Sequence, residues 1–448
     1  MRNPIGWLVI LASIGFGQNW EMRSIIPEIG TAMDADIATD SLCLPHVAFW
    51  YSGALAYASW IGDSWSIEYP DSGPILDLDF CLDRNDNPHI GYTAYAQPPE
   101  VRYVRRDGDS WRIETVAQYF TQGDRWLGAL ALARDQTPHM VFVDSATAKY
   151  AYKAADTWNV LTVPAYQADP LRRLIGASLA LDTSDRPGIA VSWFKYDGGC
   201  DSLWLSFFEY DGEDWHRSDV DSAQSGAAPY VFWAPRVRND PATDFFHIVY
   251  RAGAYATGKD GNWQVEEAPV PGCGQGACDF VLYRGRPHIV SGGGMFPVQY
   301  TWRSAAGWET EKVGPSGTIA GAPSIVVDRK GTSHLTFVSD EDESLYYACR
   351  LVVGTEEPPT VVQPKLRLLV HPNPAPRAFT LEFPVRSPAT AAIRLRDALG
   401  RTVWSQAEKV YPGQYCRRVC LSASIRPGVY FLQVETNSQR SIEKVVLQ

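Results

Sequence analysis

A repeated pattern along residues 18 to 350 constrains the fold of this 448-residue chain more than any other feature. The second half of each copy contains a short strand with an aromatic residue, then a turn of small and polar residues, then a Trp. Successive Trp residues lie 45 to 57 positions apart. They are Trp65, Trp111, Trp158, Trp215, Trp263 and Trp308.

The first half of each copy is equally regular. A strand is followed by a tight polar turn and by a second strand that usually opens with Pro-His. Four short strands per copy, at this period, are typical of the blades of a β-propeller. The seven openings are Pro45-His46, Pro88-His89, Pro138-His139, Pro187-Gly188, Phe246-His247, Pro287-His288 and Ser333-His334.

The ends of the repeat region indicate a closed ring. Six Trp residues follow the first six openings, whereas none follows the seventh, and Trp20 supplies the missing one at the start of the chain. The sequence therefore predicts an all-β fold, in which residues 18–351 form a seven-bladed β-propeller closed by an N-terminal strand. Such closure would remove the exposed strand edges of an open array. A solenoid with capped ends is the alternative.

The repeated Trp and His residues have a structural interpretation. One large aromatic side chain per blade would wedge adjacent sheets together. Six of the eight His residues occupy equivalent positions in different blades, so a ring holds them apart. We expect them to bond neighbouring backbone groups, and we predict neither a metal site nor a cofactor.

The N-terminus is predicted to be a signal peptide covering residues 1–17. Arg2 supplies a positive charge, residues 7–16 are apolar, and Gly15 and Gly17 suit a signal peptidase. No other segment approaches the ~20 apolar residues of a membrane-spanning helix, so we do not expect a transmembrane protein.

The net charge of −11, with scattered Lys and Arg, makes nucleic acid a poor partner.

The sequence pattern changes after the repeats. Residues 352–365 form a Pro-rich linker, and residues 366–448 alternate as strands without the repeat motif. This last segment resembles the C-terminal sorting domain of type IX secretion substrates. The residues that carry the resemblance are His371-Pro-Asn-Pro374, Ile393-Arg-Leu-Arg-Asp397, Leu399-Gly-Arg401, Pro427-Gly-Val-Tyr-Phe431 and Glu443-Lys-Val-Val-Leu447.

The resemblance to the sorting domain implies a small β-sandwich that the type IX secretion machinery recognises. It also implies that the protein passes through the periplasm of a Gram-negative bacterium and is then secreted or held at the cell surface.

The eight Cys residues suit an oxidising compartment. Cys273 and Cys278 flank four small or polar residues, which predicts a disulfide across a loop. Cys43 and Cys349 are predicted to lie on the same face of adjacent blades and to form a disulfide that reinforces closure. Cys416 and Cys420 would lie about 13 Å apart on one strand, which is too far for a bond.

Two kinds of connection separate the two faces of the predicted disc. The turns on one face are short and uniform, whereas the connections on the other are long and variable, and binding sites commonly lie on variable loops of a rigid scaffold. Aromatic residues beside Asp could stack on a sugar and accept hydrogen bonds from its hydroxyls, although they could instead pack over the blades or contact a protein. The candidate ligand-binding residues are Tyr119, Asp124, Trp126, Trp193, Tyr196, Asp197, Trp233 and Phe296.

The repeats also resemble, more loosely, those of sialidase-like and fucose-lectin-like propellers. A sialidase would need an arginine cluster, a Tyr/Glu nucleophilic pair and an Asp acid/base, and the Ser-x-Asp-x-Gly-x-Thr-Trp box of that family is not found. The leading prediction is therefore a non-catalytic module that binds carbohydrate or another surface ligand. The alternatives are a glycoside hydrolase or lyase with acid residues inside the loop face, and a structural component of the envelope.

Overall fold

The computed structural model describes the strands and most of their connections. The predicted signal peptide and linker lie outside the described residues. The described ranges are 20–27, 34–118, 125–144, 147–165, 172–195, 201–225, 235–250, 253–270, 278–293, 296–314, 319–339, 341–350, 368–385, 389–397, 401–410, 413–422, 425–435 and 440–448.

The chain divides into two compact units, residues 1–355 and 356–448. Within its described residues, the first unit contains seven four-stranded antiparallel sheets, here called blades 1 to 7. The N-terminal strand is β1 (Trp20–Ile26). Blade 1 is β2 (Ala35–Thr39), β3 (Pro45–Tyr51), β4 (Ala54–Ile61) and β5 (Ser64–Ser72). Blade 2 is β6 (Ile75–Leu82), β7 (Pro88–Ala94), β8 (Glu100–Asp107) and β9 (Ser110–Gln118).

The next four blades follow the same plan. Blade 3 is β10 (Arg125–Leu132), β11 (Pro138–Asp144), β12 (Thr147–Ala154) and β13 (Thr157–Thr162). Blade 4 is β14 (Arg172–Leu181), β15 (Pro187–Lys195), β16 (Asp201–Tyr210) and β17 (Trp215–Ser225). Blade 5 is β18 (Arg236–Asp240), β19 (Phe245–Tyr250), β20 (Ala254–Lys259) and β21 (Asn262–Glu267). Blade 6 is β22 (Cys278–Tyr283), β23 (Arg286–Gly293), β24 (Phe296–Ser304) and β25 (Gly307–Lys312).

The last blade combines both ends of the repeat region. Blade 7 is β26 (Ile319–Val327), β27 (Ser333–Ser339) and β28 (Leu345–Arg350), with β1 paired antiparallel to β28 from Trp20 opposite Arg350 onward. The innermost strands β2, β6, β10, β14, β18, β22 and β26 each contact the next, and β26 contacts β2. The predicted all-β class of repeated four-stranded sheets is confirmed, and no helix among the described residues is long and apolar enough to span a bilayer.

Each His of the repeat bonds a Tyr hydroxyl on the neighbouring strand of its own blade, in place of the predicted backbone partner. His139 Nδ1, for example, lies 2.5 Å from the Tyr150 hydroxyl oxygen. Burial lowers the pKa of His139 to about 4, so its ring is neutral at neutral pH. The pairs are His46–Tyr57, His89–Tyr103, His139–Tyr150, His247–Tyr255, His288–Tyr300 and His334–Tyr347.

The repeated Trp wedges adjacent blades together, as the sequence predicts. Each Trp ring meets, edge to face, the buried aromatic ring of the preceding blade, at centroid separations of 5.0 to 5.8 Å. The pairs are Tyr57–Trp111, Tyr103–Trp158, Tyr150–Trp215, Phe207–Trp263, Tyr255–Trp308, Tyr300–Trp20 and Tyr347–Trp65.

Blade 4 lacks both residues of the repeated His–Tyr pair. Gly188 replaces the His and Phe207 replaces the Tyr, so no buried hydroxyl is left without its imidazole. The space of the His is filled by Phe246 from blade 5, whose ring lies 4.7 Å from that of Phe207. A Cβ at position 188 would meet ring atoms of Phe207 and Phe246 at 2.5 to 2.6 Å.

We expect Gly188→Ala to destabilise the protein by about 1–3 kcal/mol, because the added methyl group must push apart two packed aromatic rings. Urea unfolding followed by Trp fluorescence measures the change. Ser64→Ala is the control, because Ser64 is exposed at the start of β5 and its truncation removes no packed group. A Gly188→Ala loss no larger than that of the control would contradict the packing account.

The second unit has two sheets over one apolar core. One sheet has the order β29 (Leu369–His371), β30 (Ala378–Val385) and β33 (Gly413–Cys420). The other has the order β32 (Thr402–Val410), β31 (Ala389–Asp397), β34 (Gly428–Glu435) and β35 (Arg440–Leu447). The core includes Phe379, Leu381 and Phe383 from the first sheet and Ile393 and Leu432 from the second.

Candidate functional site

The structure describes few of the side chains that the sequence predicts to bind a ligand. Tyr119, Asp124, Tyr196, Asp197 and Trp233 lie outside the described residues. Only the backbone is described for two more, at the positions where Trp126 pairs with Val143 and Phe296 pairs with Gly293.

Trp193 is described in full and is 3% exposed. Its indole Nε1 lies 3.4 Å from the Ser206 hydroxyl, and the Arg217 guanidinium lies 5.7 Å from its ring centroid. Trp193 therefore belongs to the core of blade 4 rather than to a surface that a ligand could reach.

The predicted Cys43–Cys349 disulfide is replaced by two free thiols. Cys43 lies in the β2–β3 turn, where its thiol is close to Asp328 and Arg329, whereas the Cys349 thiol bonds Tyr347. Burial raises the pKa of both thiols. Cys278 is buried at the start of β22, and because Cys273 lies outside the described residues, their pairing stays a prediction.

A polar network is described on the predicted loop face, where β5 ends and β8 begins. The Asp71 carboxylate accepts a hydrogen bond from the Tyr92 hydroxyl at 2.6 Å and from Arg102 Nη1 at 2.8 Å. Arg102 Nε also donates to Glu100 at 2.7 Å, and Gln118 donates to the other Glu100 oxygen. The two carboxylates therefore hold the guanidinium in one orientation at the joint between blades 1 and 2.

Exposed tyrosines lie along the same edge. Tyr69, in the mostly exposed or half-buried strand β5, and Tyr95, just after the fully buried strand β7, are each 56% exposed. Tyr69 stacks on Tyr51, with ring centroids 6.5 Å apart, and precedes Asp71 by two residues. The Tyr95 backbone N–H donates to the Pro74 carbonyl, which fixes its position beyond the end of β7. We call this surface the tyrosine rim: Tyr51, Tyr69, Asp71, Tyr95, Glu100 and Arg102.

The electrostatics of the tyrosine rim favour a neutral polar ligand. Partial burial works against the charge of Glu100, but the bonds from Arg102 and Gln118 outweigh it and lower its pKa. Burial, the bond to Asp71 and its charge raise the pKa of Tyr92, so its hydroxyl keeps its proton. The rim thus offers carboxylate acceptors, guanidinium donors and the faces of aromatic rings.

A second polar cluster lies on the innermost strands, around the axis of the ring. Asp36 accepts from Phe80 N at 2.8 Å, and Asp77 accepts from Leu127 N at 2.6 Å. Each carboxyl thereby bonds the open backbone edge of the next blade's innermost strand. Arg236 of blade 5 reaches the Gly128 carbonyl of blade 3, at 3.3 Å.

The pKa values of these axial carboxyls lie well above the usual range of an Asp side chain. Burial raises the pKa of Asp34 to about 6 and those of Asp36 and Asp77 to about 8, with neighbouring carboxylates adding to the effect. The free space among Asp34, Asp36, Asp79, Arg236 and Asp279 is only about 10 Å³. That is room for about one water molecule, so the space among these five side chains does not admit a sugar.

Sequence reasoning missed both groups of residues. The axial cluster has a signal, since charged side chains alternate with apolar ones in Asp34-Ala-Asp36, Asp77-Leu-Asp79 and Arg236-Val-Arg238. Alternation of this kind indicates one polar and one apolar side of a strand. The tyrosine rim has a weaker signal, because nothing in the sequence shows which strand ends of blades 1 and 2 meet.

Comparison with known proteins identifies the C-terminal unit. Residues 369–448 match the family described as a secretion system C-terminal sorting domain. The resemblance of this segment to the sorting domain is therefore confirmed. The chain carries a C-terminal signal for export to the cell surface or the medium by type IX secretion. No curated protein matches the chain.

Several solved structures share a likeness with this chain at very low identity. A fungal lectin of Aleuria aurantia, described as a six-bladed β-propeller that recognises fucose, is 13% identical, with 66% of this chain and 100% of that chain covered and a TM-score of 0.44. AofleA from Arthrobotrys oligospora is 10% identical, with coverages of 91% and 94% and a TM-score of 0.42. Trypanosoma rangeli sialidase is 10% identical, with coverages of 93% and 84% and a TM-score of 0.40. Likenesses at these values say nothing about what this chain binds.

Proposed function

We propose that this exported protein is a non-catalytic carbohydrate-binding propeller and that the tyrosine rim is its binding surface. The observation that carries the proposal is that two exposed rings, Tyr69 and Tyr95, belong to the strand ends of blades 1 and 2 that also hold the fixed Asp71–Arg102–Glu100 network. An aromatic face packs on the C–H side of a sugar ring, while fixed donors and acceptors bond its hydroxyls. Arg102 bonds both carboxylates, so a neutral ligand can bond the network without breaking these ion pairs.

The test is a glycan array probed with the mature full-length protein, followed by isothermal titration with a glycan that binds. Tyr69→Ala/Tyr95→Ala is expected to weaken binding at least tenfold, which corresponds to about 1.4 kcal/mol for the two stacking contacts. Phe245→Ala is the matched control, because Phe245 is 45% exposed and begins β19 on the opposite face. Equal losses in the double variant and the control would overturn the site.

A hydrolase is the alternative, and the raised pKa values of Asp34, Asp36 and Asp77 are the observation in its favour. The small space among Asp34, Asp36, Asp79, Arg236 and Asp279 argues against it. If no glycan binds while fluorogenic glycosides are hydrolysed, the hydrolase replaces the binding module. If neither happens and the protein co-purifies with envelope material, a structural role replaces both.

A further inference from the structure

Ionic contacts join several adjacent blades at one repeated position. The residue three places after the repeated Trp is a carboxylate, and it meets a cation from the third strand of the next blade. Lys153 Nζ, for example, lies 2.8 Å from Glu114. We call these contacts latches, and the described ones are Glu68–Arg106, Glu114–Lys153, Glu266–Arg303 and Glu311–Arg350.

The latch cation also lies over an aromatic ring in three of these joints. The Arg106 guanidinium is 4.8 Å from the centroid of Trp111, and Arg303 is 5.5 Å from that of Trp308. Arg350 lies 4.3 Å from the centroid of Trp302. A cation held between a carboxylate and an aromatic face is thus a recurrent element of this ring.

Two other joints fill the latch position with bulky side chains. Where blade 7 meets blade 1, Arg23 occupies the carboxylate position and its guanidinium lies 5.0 Å from the Trp60 ring centroid. Where blade 3 meets blade 4, the corresponding residues are Leu161 and Tyr210. Leu161 packs against the apolar core shared by these blades.

The joint between blades 4 and 5 has small residues at both latch positions, Ser218 and Gly258. Ser218 accepts a hydrogen bond from the Trp263 indole at 3.0 Å, but no cation from blade 5 crosses the joint among the described residues. Lys259, the nearest candidate, bonds Asp244 of its own blade instead. A groove of about 360 Å³ lies at this joint on the face of the short turns.

The walls of this groove, here called the blade 4–5 groove, combine apolar and acidic groups. Phe246, Pro187 and Tyr210 contribute apolar surface. Glu209 and Asp260 also line it, and within the described part of the chain neither is in an ion pair. Burial, together with the charge of Asp260, raises the pKa of Glu209, although the charges of Lys259 and Arg186 and the backbone N–H of Asp260 act in the opposite direction.

The cationic residues around the groove are already engaged. Arg186 Nη2 lies 2.7 Å from Asp182, and His216 lies 2.7 Å from Asp211. Arg217 pairs with Asp219 at 2.8 Å. A ligand that enters the groove therefore finds two carboxylates that no cation of the described residues contacts directly, although the charges of Lys259 and Arg186 act on Glu209 from a distance.

We propose that the blade 4–5 groove binds an arginine or lysine side chain displayed by a partner protein. The aliphatic stem of such a side chain would lie on Phe246, Pro187 and Tyr210, and its charged head would meet Glu209 and Asp260. The partner would thereby supply a cation at a joint where no described residue of blade 5 forms the latch seen at four other joints. The groove lies on the opposite face from the tyrosine rim, so this inference does not rest on the proposed carbohydrate site.

The test is isothermal titration of the full-length protein with acetyl-Gly-Arg-Gly-amide and with its citrulline analogue, which has nearly the same shape without the charge. Saturable binding of the arginine peptide is expected, at least fivefold tighter than that of the citrulline peptide. Glu209→Gln is expected to weaken binding of the arginine peptide about tenfold, a loss typical of one charge-assisted contact.

Two further variants keep the result interpretable. Asp260→Asn should also weaken binding, and it suits the left-handed backbone of the turn (φ 51°), because Asn tolerates that conformation. Glu213→Gln removes the same charge from the exposed turn of the same hairpin, outside the groove lining, and should change nothing. No saturable binding at about 10 mM peptide, or equal losses in Glu209→Gln and Glu213→Gln, would overturn the proposal. Retained arginine binding in Tyr69→Ala/Tyr95→Ala separates this site from the carbohydrate site.

Discussion

Deletion of residues 20–26 is expected to remove most of the folding stability of the repeat unit, because β1 contacts three blades at once. It pairs with β28 in blade 7, and Ile25 and Ile26 are each 7% exposed. Trp20 donates to Glu311 of blade 6 at 2.9 Å and packs against the Tyr300 ring at 5.4 Å. Arg23 lies over Trp60 of blade 1.

The size of this effect follows from the groups that are lost. Trp20→Ala alone should cost about 3 kcal/mol, the lower part of the usual range for large aromatic residues. Loss of the whole strand adds two buried Ile side chains and exposes the edge of β28, against a total stability of about 5–15 kcal/mol for a domain. The deletion variant should therefore express poorly or melt far below the wild type.

Thermal unfolding followed by near-UV circular dichroism measures the loss in both variants. Ile61→Ala is the control, because this side chain is 63% exposed at the end of β4 and its truncation should leave the melting temperature unchanged. A deletion variant that melts with the wild type would show that β1 is dispensable and that the blades hold together without it.

The regular part of the fold was predictable from sequence because each copy repeats the same local signals. The seven openings, four of them Pro-His, and the Trp residues mark strand starts in the blades, and Trp20 indicates the strand contributed by the N-terminus. The structure places β1 beside β28, as that position predicts. The predicted signal peptide ends at residue 17, so cleavage there would leave this strand complete.

The parts that sequence reasoning missed depend on which side chains meet across blades. The loss of His at Gly188 was visible, but its consequence needed the position of the Phe246 ring, which belongs to another blade. The free thiols of Cys43 and Cys349 also could not be predicted from sequence, because two cysteines on the same face of adjacent blades need not lie within bonding distance. Blade 4 departs from the repeat at several positions, and the blade 4–5 groove lies where these departures coincide.

The axial carboxyls should make the stability of the protein depend on pH, and Asp77 gives the clearest test. Its carboxyl accepts from Thr93 N at 3.2 Å and from Leu127 N at 2.6 Å. Burial raises its pKa from 3.8 to about 8, and the nearby Asp34 charge adds to the rise. Because the folded state binds this proton more tightly than the unfolded chain does, the stabilisation is complete below pH 4 and is lost as the pH rises to about 8.

We therefore expect Asp77→Asn, which cannot ionise, to gain stability relative to the wild type as the pH rises. The difference in free energy of unfolding should grow by at most about 1.4 kcal/mol per pH unit between pH 5 and pH 8 and then level off. Burial lowers the pKa of His139 and His288 to about 4, so their contribution is lost as the pH falls below about 6.5. That loss is common to both proteins and cancels in the difference.

Urea unfolding of the two proteins at each pH from 5 to 9 measures this difference directly. Asp63→Asn, in the exposed β4–β5 turn, is the matched control and should differ from the wild type by a constant amount. A difference for Asp77→Asn that does not change with pH would mean that Asp77 is already ionised in the folded state. The axial cluster would then carry net negative charge at neutral pH, and the hydrogen bond from Leu127 would be a bond to a carboxylate rather than to a neutral acid.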